Sequence, residues 1–252
     1  MKKTDFSTIA RKYDKNKYRH NIKHDQELES SINSYNGLNF KVLDLACGTG
    51  LYLQKQIEYF NSENIEWHGI DASEEMLLKA KQKVPNANLV KGLAERMPYS
   101  SNYFNFIINN FAFHHFTMKS KVLDEVERIL DKDGIFKIHN IAIHEMTKWW
   151  VYQYFPSAYY EDLKRFWQKD LIFKELSIRG FAVELNINYT LKEAKIADLI
   201  EYARNRDISI LTVIDDKEYM EGLEKMEHDL KKDSEAKIIV DFADLFIVGR
   251  KK

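Results

Sequence analysis

Apolar positions along this chain follow two rhythms. Between residues 40 and 140, short apolar runs at 40–46, 65–70, 87–91, 104–109 and 135–140 alternate with longer stretches. In those stretches, 51–60, 74–83 and 119–130, apolar residues recur every three or four positions, the spacing of a helix with one buried face. Ser73 stands where it caps the second of these helices, and Asp131-Lys132-Asp133-Gly134 is a stop signal after the third. Runs apolar throughout suit strands covered on both faces. Strands alternating with helices of this length predict a parallel sheet with helices on both sides.

Outside this stretch the rhythm changes. Residues 4–34 are polar, with Phe6, Ile9, Ala10 and Tyr13 at helical spacing. Residues 145–175 concentrate aromatics, among them Trp149, Trp150, Tyr152, Tyr154, Phe155, Tyr159, Tyr160, Phe166 and Trp167. This reads as a helical insertion, whose aromatics serve either as core or as the lid of a substrate pocket. A strand at 180–187, helices at 191–205 and 215–232, and a final strand at 237–250 complete the reading. With no repeat and no low-complexity linker, the 252 residues are expected to form a single domain.

Composition narrows the function classes. Hydrophobic residues are 44% and charged residues 31%, as in a globular protein. The net charge of -1 lacks the basic excess that phosphate neutralisation demands, so no nucleic-acid partner is expected. Cys47 is the only cysteine, which excludes an intrachain disulfide and a CxxC metal pair. No run of about 18 apolar residues predicts a membrane span. No apolar stretch follows Lys2 and Lys3, so no signal peptide is read and the expected location is the cytoplasm.

The candidate chemistry starts at the end of the first strand. Gly48 and Gly50 supply the small residues of a tight turn where backbone passes close to a ligand. The helix behind them aims free amides at the same place. Asp71 ends the second strand, about 20 residues on, the spacing at which an acid reaches a ribose diol. These features alone serve two cofactor classes. The dinucleotide fingerprint wants a third glycine, and here that position is Leu53, which argues against a nicotinamide or flavin dehydrogenase.

The segment Val42-Leu43-Asp44-Leu45-Ala46-Cys47-Gly48-Thr49-Gly50 resembles motif I of the class I S-adenosylmethionine-dependent methyltransferases. The resemblance continues through Gly69-Ile70-Asp71-Ala72-Ser73-Glu74-Glu75-Met76-Leu77, Gly92-Leu93-Ala94-Glu95-Arg96-Met97-Pro98-Tyr99 and Phe113-His114-His115. Order and spacing are similar to the ubiquinone and menaquinone biosynthesis subgroup. Ala10-Arg11-Lys12-Tyr13-Asp14 resembles that subgroup's N-terminal lid.

The resemblance implies a Rossmann-like α/β fold: a doubly wound, mostly parallel seven-stranded sheet with helical lid insertions. It divides the domain into an N-terminal helical lid (1–35), a cofactor-binding core (36–143), a helical substrate lid (144–236, with the strand near 180–187) and the final strand. The implied cofactor is S-adenosylmethionine, leaving as S-adenosylhomocysteine, and the implied partner is a small-molecule acceptor lying among the lid helices. Asp44 would serve the methionine amino group, Ala46, Gly48 and Gly50 would run beside the methionine moiety, and Asn109 would face it. Asp71 would accept the ribose hydroxyls; Ala72, Met76 and Ala94 would line the adenine. Tyr13 and Arg19 would close the lid. The subgroup often has Asp where this chain has Leu93, so adenine would be held by packing, by the backbone, or by Glu95. Asn105 also replaces a frequent Asp.

His114 and His115 follow the fourth strand. Either is a candidate base toward a hydroxyl or amine, against the plainer role of packing or capping the next helix. With His139 and His144 they make no helical metal pair, and no metal is expected. Cys47 reads as a small buried loop residue, not a catalytic thiol. A cofactor-binding regulatory or assembly protein without catalysis is the alternative that the changes at Leu93 and Asn105 leave open.

Overall fold

The structure is a computed structural model that describes Tyr13, Asp14 and residues 22–252. Arg19 and most of the expected N-terminal lid lie outside the described residues. In chain order the elements are α1 (Gln26–Ser34), β1 (Phe40–Leu45), α2 (Leu51–Phe60), β2 (Ile65–Asp71), α3 (Glu74–Lys83), β3 (Asn88–Lys91), β4 (Phe104–Asn110), α4 (Lys119–Ile129) and β5 (Leu130–Ile141). There follow α5 (Trp150–Tyr154), α6 (Pro156–Arg165), α7 (Lys169–Ile178), β6 (Phe181–Lys195), α8 (Ile196–Arg204), α9 (Asp216–Lys232) and β7 (Lys237–Lys251). Among the described residues no helix is long and apolar enough to cross a membrane.

The strands form one seven-stranded sheet in the order β3-β2-β1-β4-β5-β7-β6. The pairs β1–β2, β2–β3, β1–β4 and β4–β5 are parallel. Strand β7 runs antiparallel to β6: Lys252 donates to the Gly180 carbonyl, Tyr189 reaches Asp241, and Lys237 pairs with Glu193. The sheet is therefore the doubly wound, mostly parallel one that the sequence implies. Asn105 has a structural task in it. The parallel ladder between β1 and β4 starts at Val42, and the Asn105 side chain accepts the Lys41 amide at 2.8 Å.

The chain divides into two compact units. One holds β1 to β5, α7, the first part of β6 and the end of β7. Its core lies on both sides of β1 and β4, where Val42, Leu43, Phe104, Phe106, Ile107 and Ile108 have no exposed surface. Above β2, a large and a small residue have exchanged the places a dinucleotide fold gives them. Leu53 on α2 is fully buried, and the strand beneath is thinned at Gly69. A Cβ at 69 would lie 2.8 Å from Leu89, 2.9 Å from Cys47 and 3.0 Å from Leu53. The helix–strand approach that a glycine on the helix would allow is made here by a glycine on the strand.

The other unit holds α5, α6, α8, α9 and the adjoining ends of β6 and β7. Most of the aromatic run is its core: Trp149, Trp150, Tyr152, Tyr154, Phe155 and Phe166 are all buried. Phe155 stacks on Tyr219 with centroids 5.9 Å apart, and Gly222 of α9 makes room for it. Asp162, buried in α6, is neutralised by Arg165 and accepts the Tyr152 hydroxyl at 2.8 Å. A buried acid of this kind needs both partners to offset its desolvation.

Two stretches depart from the sequence reading. Asp131-Lys132-Asp133-Gly134, read as a stop between helix and strand, lies within β5. Phe104 is paired with Leu130 but Phe106 with Ile135, so these residues bulge out of the ladder, with Asp133 at φ 62°. Leu130 and Ile135 are both buried, and that anchors the strand on either side of the polar bulge. Strand β6 runs to Lys195, not 187, and takes the first residues of the expected helix. Thr190 bonds the Phe242 carbonyl and Glu193 pairs with Lys237, so cross-strand partners override a helix-favouring Leu-Lys-Glu-Ala-Lys sequence.

Replacing Gly69 with Ala is expected to destabilise the protein by about 1–3 kcal/mol, because three buried side chains must move. Urea denaturation measures it, and a midpoint unchanged from the parent would contradict this account of the α2–β2 contact.

Candidate cofactor site

The turn after β1 is built from left-handed residues. Ala46, Gly48 and Gly50 have φ of 63°, 53° and 76°. The two glycines serve different ends. A Cβ on Gly50 would meet Ala80 at 3.1 Å, so Gly50 brings α2 against α3. Among the described residues, a Cβ on Gly48 would meet nothing within 4 Å. Gly48 therefore presents bare backbone there, in a left-handed conformation that a side chain would strain. Ala46 has the same handedness and is not glycine, a cost of about 1–2 kcal/mol.

Asp71 ties the neighbouring loops to this turn. Its Oδ2 accepts the Gly48 amide and its Oδ1 accepts the Ser73 amide, both at 2.8 Å. Its backbone carbonyl accepts the Gly92 amide at 3.0 Å. Burial raises the Asp71 carboxyl above the ordinary range, and the amides of Ser73, Gly48 and Ala72 oppose that. Ser73 caps α3 as the sequence predicts, accepting from Met76 at 3.2 Å. Ala72 is exposed beside it, whereas Met76 is buried and backs the turn from within.

Two further polar groups stand at the ends of the central strands. Asp44 is buried, and desolvation first, the charge of Asp71 second, push its carboxyl up to about 8. Asn109 has no exposed surface; its Nδ2 donates to the Leu45 carbonyl at 2.7 Å, and among the described residues its buried Oδ1 has no hydrogen-bond partner. Asp44 and Ile108 are register partners across β1 and β4, so the acid and the amide belong to one sheet edge. An orphaned acceptor and a buried acid at one edge favour a cationic donor as their ligand.

The loop after β3 is held from outside. Leu93 is 61% exposed and makes an isolated bridge to Arg96; Ala94 is buried and Glu95 half-buried. On α4, Glu125 accepts the Met97 amide at 2.7 Å, and Arg128 donates to the carbonyls of Tyr99 and Met97 at 2.7 and 3.1 Å. The two side chains are themselves paired. Sequence reading treated this helix as a packing element and missed the clamp; the signal was an acid and a base three positions apart on one helix face.

Tyr13, of the expected lid, is half-buried. Its neighbour Asp14, which sequence reading did not single out, accepts from Thr49 Oγ1 at 2.6 Å and from Lys83 Nζ at 2.7 Å. Burial works against its charge, yet these two bonds and the charges of Lys83 and Lys79 hold its carboxyl below the usual range. His114 is buried and His115 half-buried in a 3-10 turn, Phe113–His115, that follows β4; their ring centroids are 3.9 Å apart. Among the described residues no group of His, Cys, Asp and Glu is arranged to hold a metal.

Two outcomes follow from this geometry. Asp44 holds a proton in the folded protein that it loses near pH 3.8 when unfolded, so folding stability falls as pH rises from about 4 to 8. Asp44→Asn should flatten that decline in urea titrations of the ligand-free protein; an unchanged slope would remove Asp44 as its source. Ala46→Gly should stabilise by about 0.5–1 kcal/mol, the relieved strain exceeding glycine's entropic cost. A loss of stability on that substitution would contradict the strain.

Residues 42–134 match a methyltransferase domain family. The ubiquinone/menaquinone biosynthesis C-methyltransferase UbiE of Campylobacter jejuni is 31% identical over 113 residues, 44% of this chain and 46% of that protein. The chain spans about half the length of the curated relatives it matches. A crystal structure from Anabaena variabilis, assigned as a methyltransferase of an antibiotic biosynthesis pathway, superposes with a TM-score of 0.70 at 20% identity, covering 92% of this chain and 99% of that one. A phosphoethanolamine N-methyltransferase from Haemonchus contortus, holding S-adenosylhomocysteine and phosphomonomethylethanolamine, superposes with a TM-score of 0.54 at 14% identity, covering 90% of this chain and 52% of its own. The chain thus shares the fold of these methyltransferase structures, and its residues 42–134 are similar to a methyltransferase domain.

Proposed function

We propose that this chain transfers a methyl group from S-adenosylmethionine to a small-molecule acceptor. The observation that carries the reading is the turn at Gly48, whose Cβ side meets no described residue and whose amide is bonded to an acid that ends the next strand. The residues present suit the cofactor. Asp71 retains acceptor capacity for a ribose diol, since each carboxylate oxygen takes more than one hydrogen bond. Asp44 and the orphaned Oδ1 of Asn109 suit a cationic methionine end. Ala72 and Ala94 offer apolar surface and backbone to the adenine, with Met76 behind them. Leu93 withholds a polar contact there, so the clamped backbone of this loop has the larger share of adenine recognition, with Glu95 as the adjacent acceptor.

When bound, S-adenosylmethionine supplies a methyl group already activated on a sulfonium. The chain's own task is to orient the reactants and exclude water. Tyr13, from the N-terminal segment, closes the site; Arg19, the other residue expected there, lies outside the described residues. Where the acceptor carries a proton, His114 or His115 takes it as a base. The family match and the S-adenosylhomocysteine held by the Haemonchus contortus enzyme support this reading.

Calorimetry with S-adenosylhomocysteine tests it. Binding is expected, with Asp71→Ala weakening it at least tenfold, since charge-assisted bonds contribute about 1.5–3 kcal/mol each. No binding at millimolar ligand would overturn the methyltransferase reading; binding unaffected by Asp71→Ala would overturn the ribose assignment alone.

A further inference from the structure

Strand β6 closes one side of the sheet order, and among the described residues no strand pairs with its outer edge. It is 15 residues long, well beyond the usual five or six. From Val183 to Lys192 its residues alternate strictly. Glu184, Asn186, Asn188, Thr190 and Lys192 make one polar face; Val183, Leu185, Ile187, Tyr189 and Leu191 make the other, apolar face. That apolar face is only partly covered: Val183, Leu185 and Ile187 are half-buried, while Tyr189 and Leu191 are 52% and 54% exposed. Ile239 on β7 is similarly open, at 53%. A long edge with uncovered apolar side chains invites pairing, and proteins usually block it with charge.

The charges on β6 are of two kinds. Glu193 and Lys195 are used within the chain, by Lys237 and Glu235. Glu184 and Lys192 have no ion pair among the described residues. These two stand at equal distances on either side of Asn188. We propose that two copies of this chain pair edge to edge through β6, antiparallel, about a two-fold axis at Asn188. In that register Glu184 of each copy lies opposite Lys192 of the other, so one geometry satisfies both leftover charges twice. The exposed Leu191 falls opposite the half-buried Leu185, and the exposed Tyr189 opposite Ile187. Asn186 falls opposite Thr190. Between Glu184 and Lys192 every cross-strand pair is therefore apolar with apolar, polar with polar, or acid with base; beyond them Val183 falls opposite Glu193, which Lys237 of its own chain already holds.

Neighbouring registers lack this match. A slip that moves the axis between two residues puts the apolar face of one strand against the polar face of the other. Moving the axis to Tyr189 sets Glu184 against Ala194 and Lys192 against Asn186, so neither charge meets its opposite. Moving it to Ile187 sets Glu184 against Thr190 and leaves both charges without partners. The pair of charges that would ordinarily guard an edge here selects one partner, a second copy in one register.

Sedimentation velocity of the intact protein, from about 1 to 200 µM at low salt, reads the association. A concentration-dependent dimer is expected. Lys192→Glu places like charges opposite each other twice and should weaken the dimer about tenfold. Glu184→Lys should do the same, and the double variant Glu184→Lys/Lys192→Glu should restore parental association. Both side chains are exposed, so folding is unaffected and circular dichroism of each variant should match the parent. A monomer throughout the range would overturn the proposal. So would a dimer indifferent to Lys192→Glu, or a double variant no better than either single one.

Discussion

One carboxylate organises the ligand edge of this sheet. Through its two oxygens and its own carbonyl, Asp71 fastens the turn after β1, the start of α3 and the loop after β3. All three loops are expected to touch the cofactor. Their relative positions therefore depend on the residue proposed to bind the ribose. The turn it fastens is left-handed at three positions, and at the one that is not glycine, Ala46, that backbone persists only where surrounding contacts over-determine it. The Gly48–Asp71 bond is such a contact. Under the proposed function, the group that would meet the ribose also helps to hold the turn, beside the bonds of Lys83 and Asp14 to Thr49.

The electrostatics of the same edge are unfavourable without a ligand. Asp44 is buried near a second acid, and its carboxyl is held neutral by that environment near pH 7. Asn109 leaves an acceptor unpaired in the core. Folding tolerates both because the strands around them are fully buried and closely packed. Under the proposed function, a cationic ligand would relieve both defects at once.

Helix placement rests on an exchange of sizes. Leu53 fills the space over β2, and Gly69 beneath it vacates the strand. Gly50 then sets α2 against α3. From the outer side, Glu125 and Arg128 on α4 grip the backbone at Met97 and Tyr99. The loop with the most altered sequence, at Leu93, is therefore positioned by a helix and does not depend on its own side chains for shape.

Local pattern was enough for the alternating core, because strands buried on both faces and helices with one buried face carry distinct periods. The glycine turn, the capping Ser73 and the acid at Asp71 were legible for the same reason: each is a short-range arrangement with a fixed spacing. What lay beyond reach was decided by partners distant in the chain. Strand β6 continues past residue 187 because β7 supplies its hydrogen bonds; helix propensity alone pointed the other way. The polar bulge at Asp131–Gly134 stays in β5 because Leu130 and Ile135 are anchored in the core. The separate tasks of Gly48 and Gly50, the orphaned oxygen of Asn109, and the grip of Asp14 on Thr49 and Lys83 all depend on contacts between elements. Spacing along the chain told which residues reach the sheet edge; only packing decided what each of them faces there.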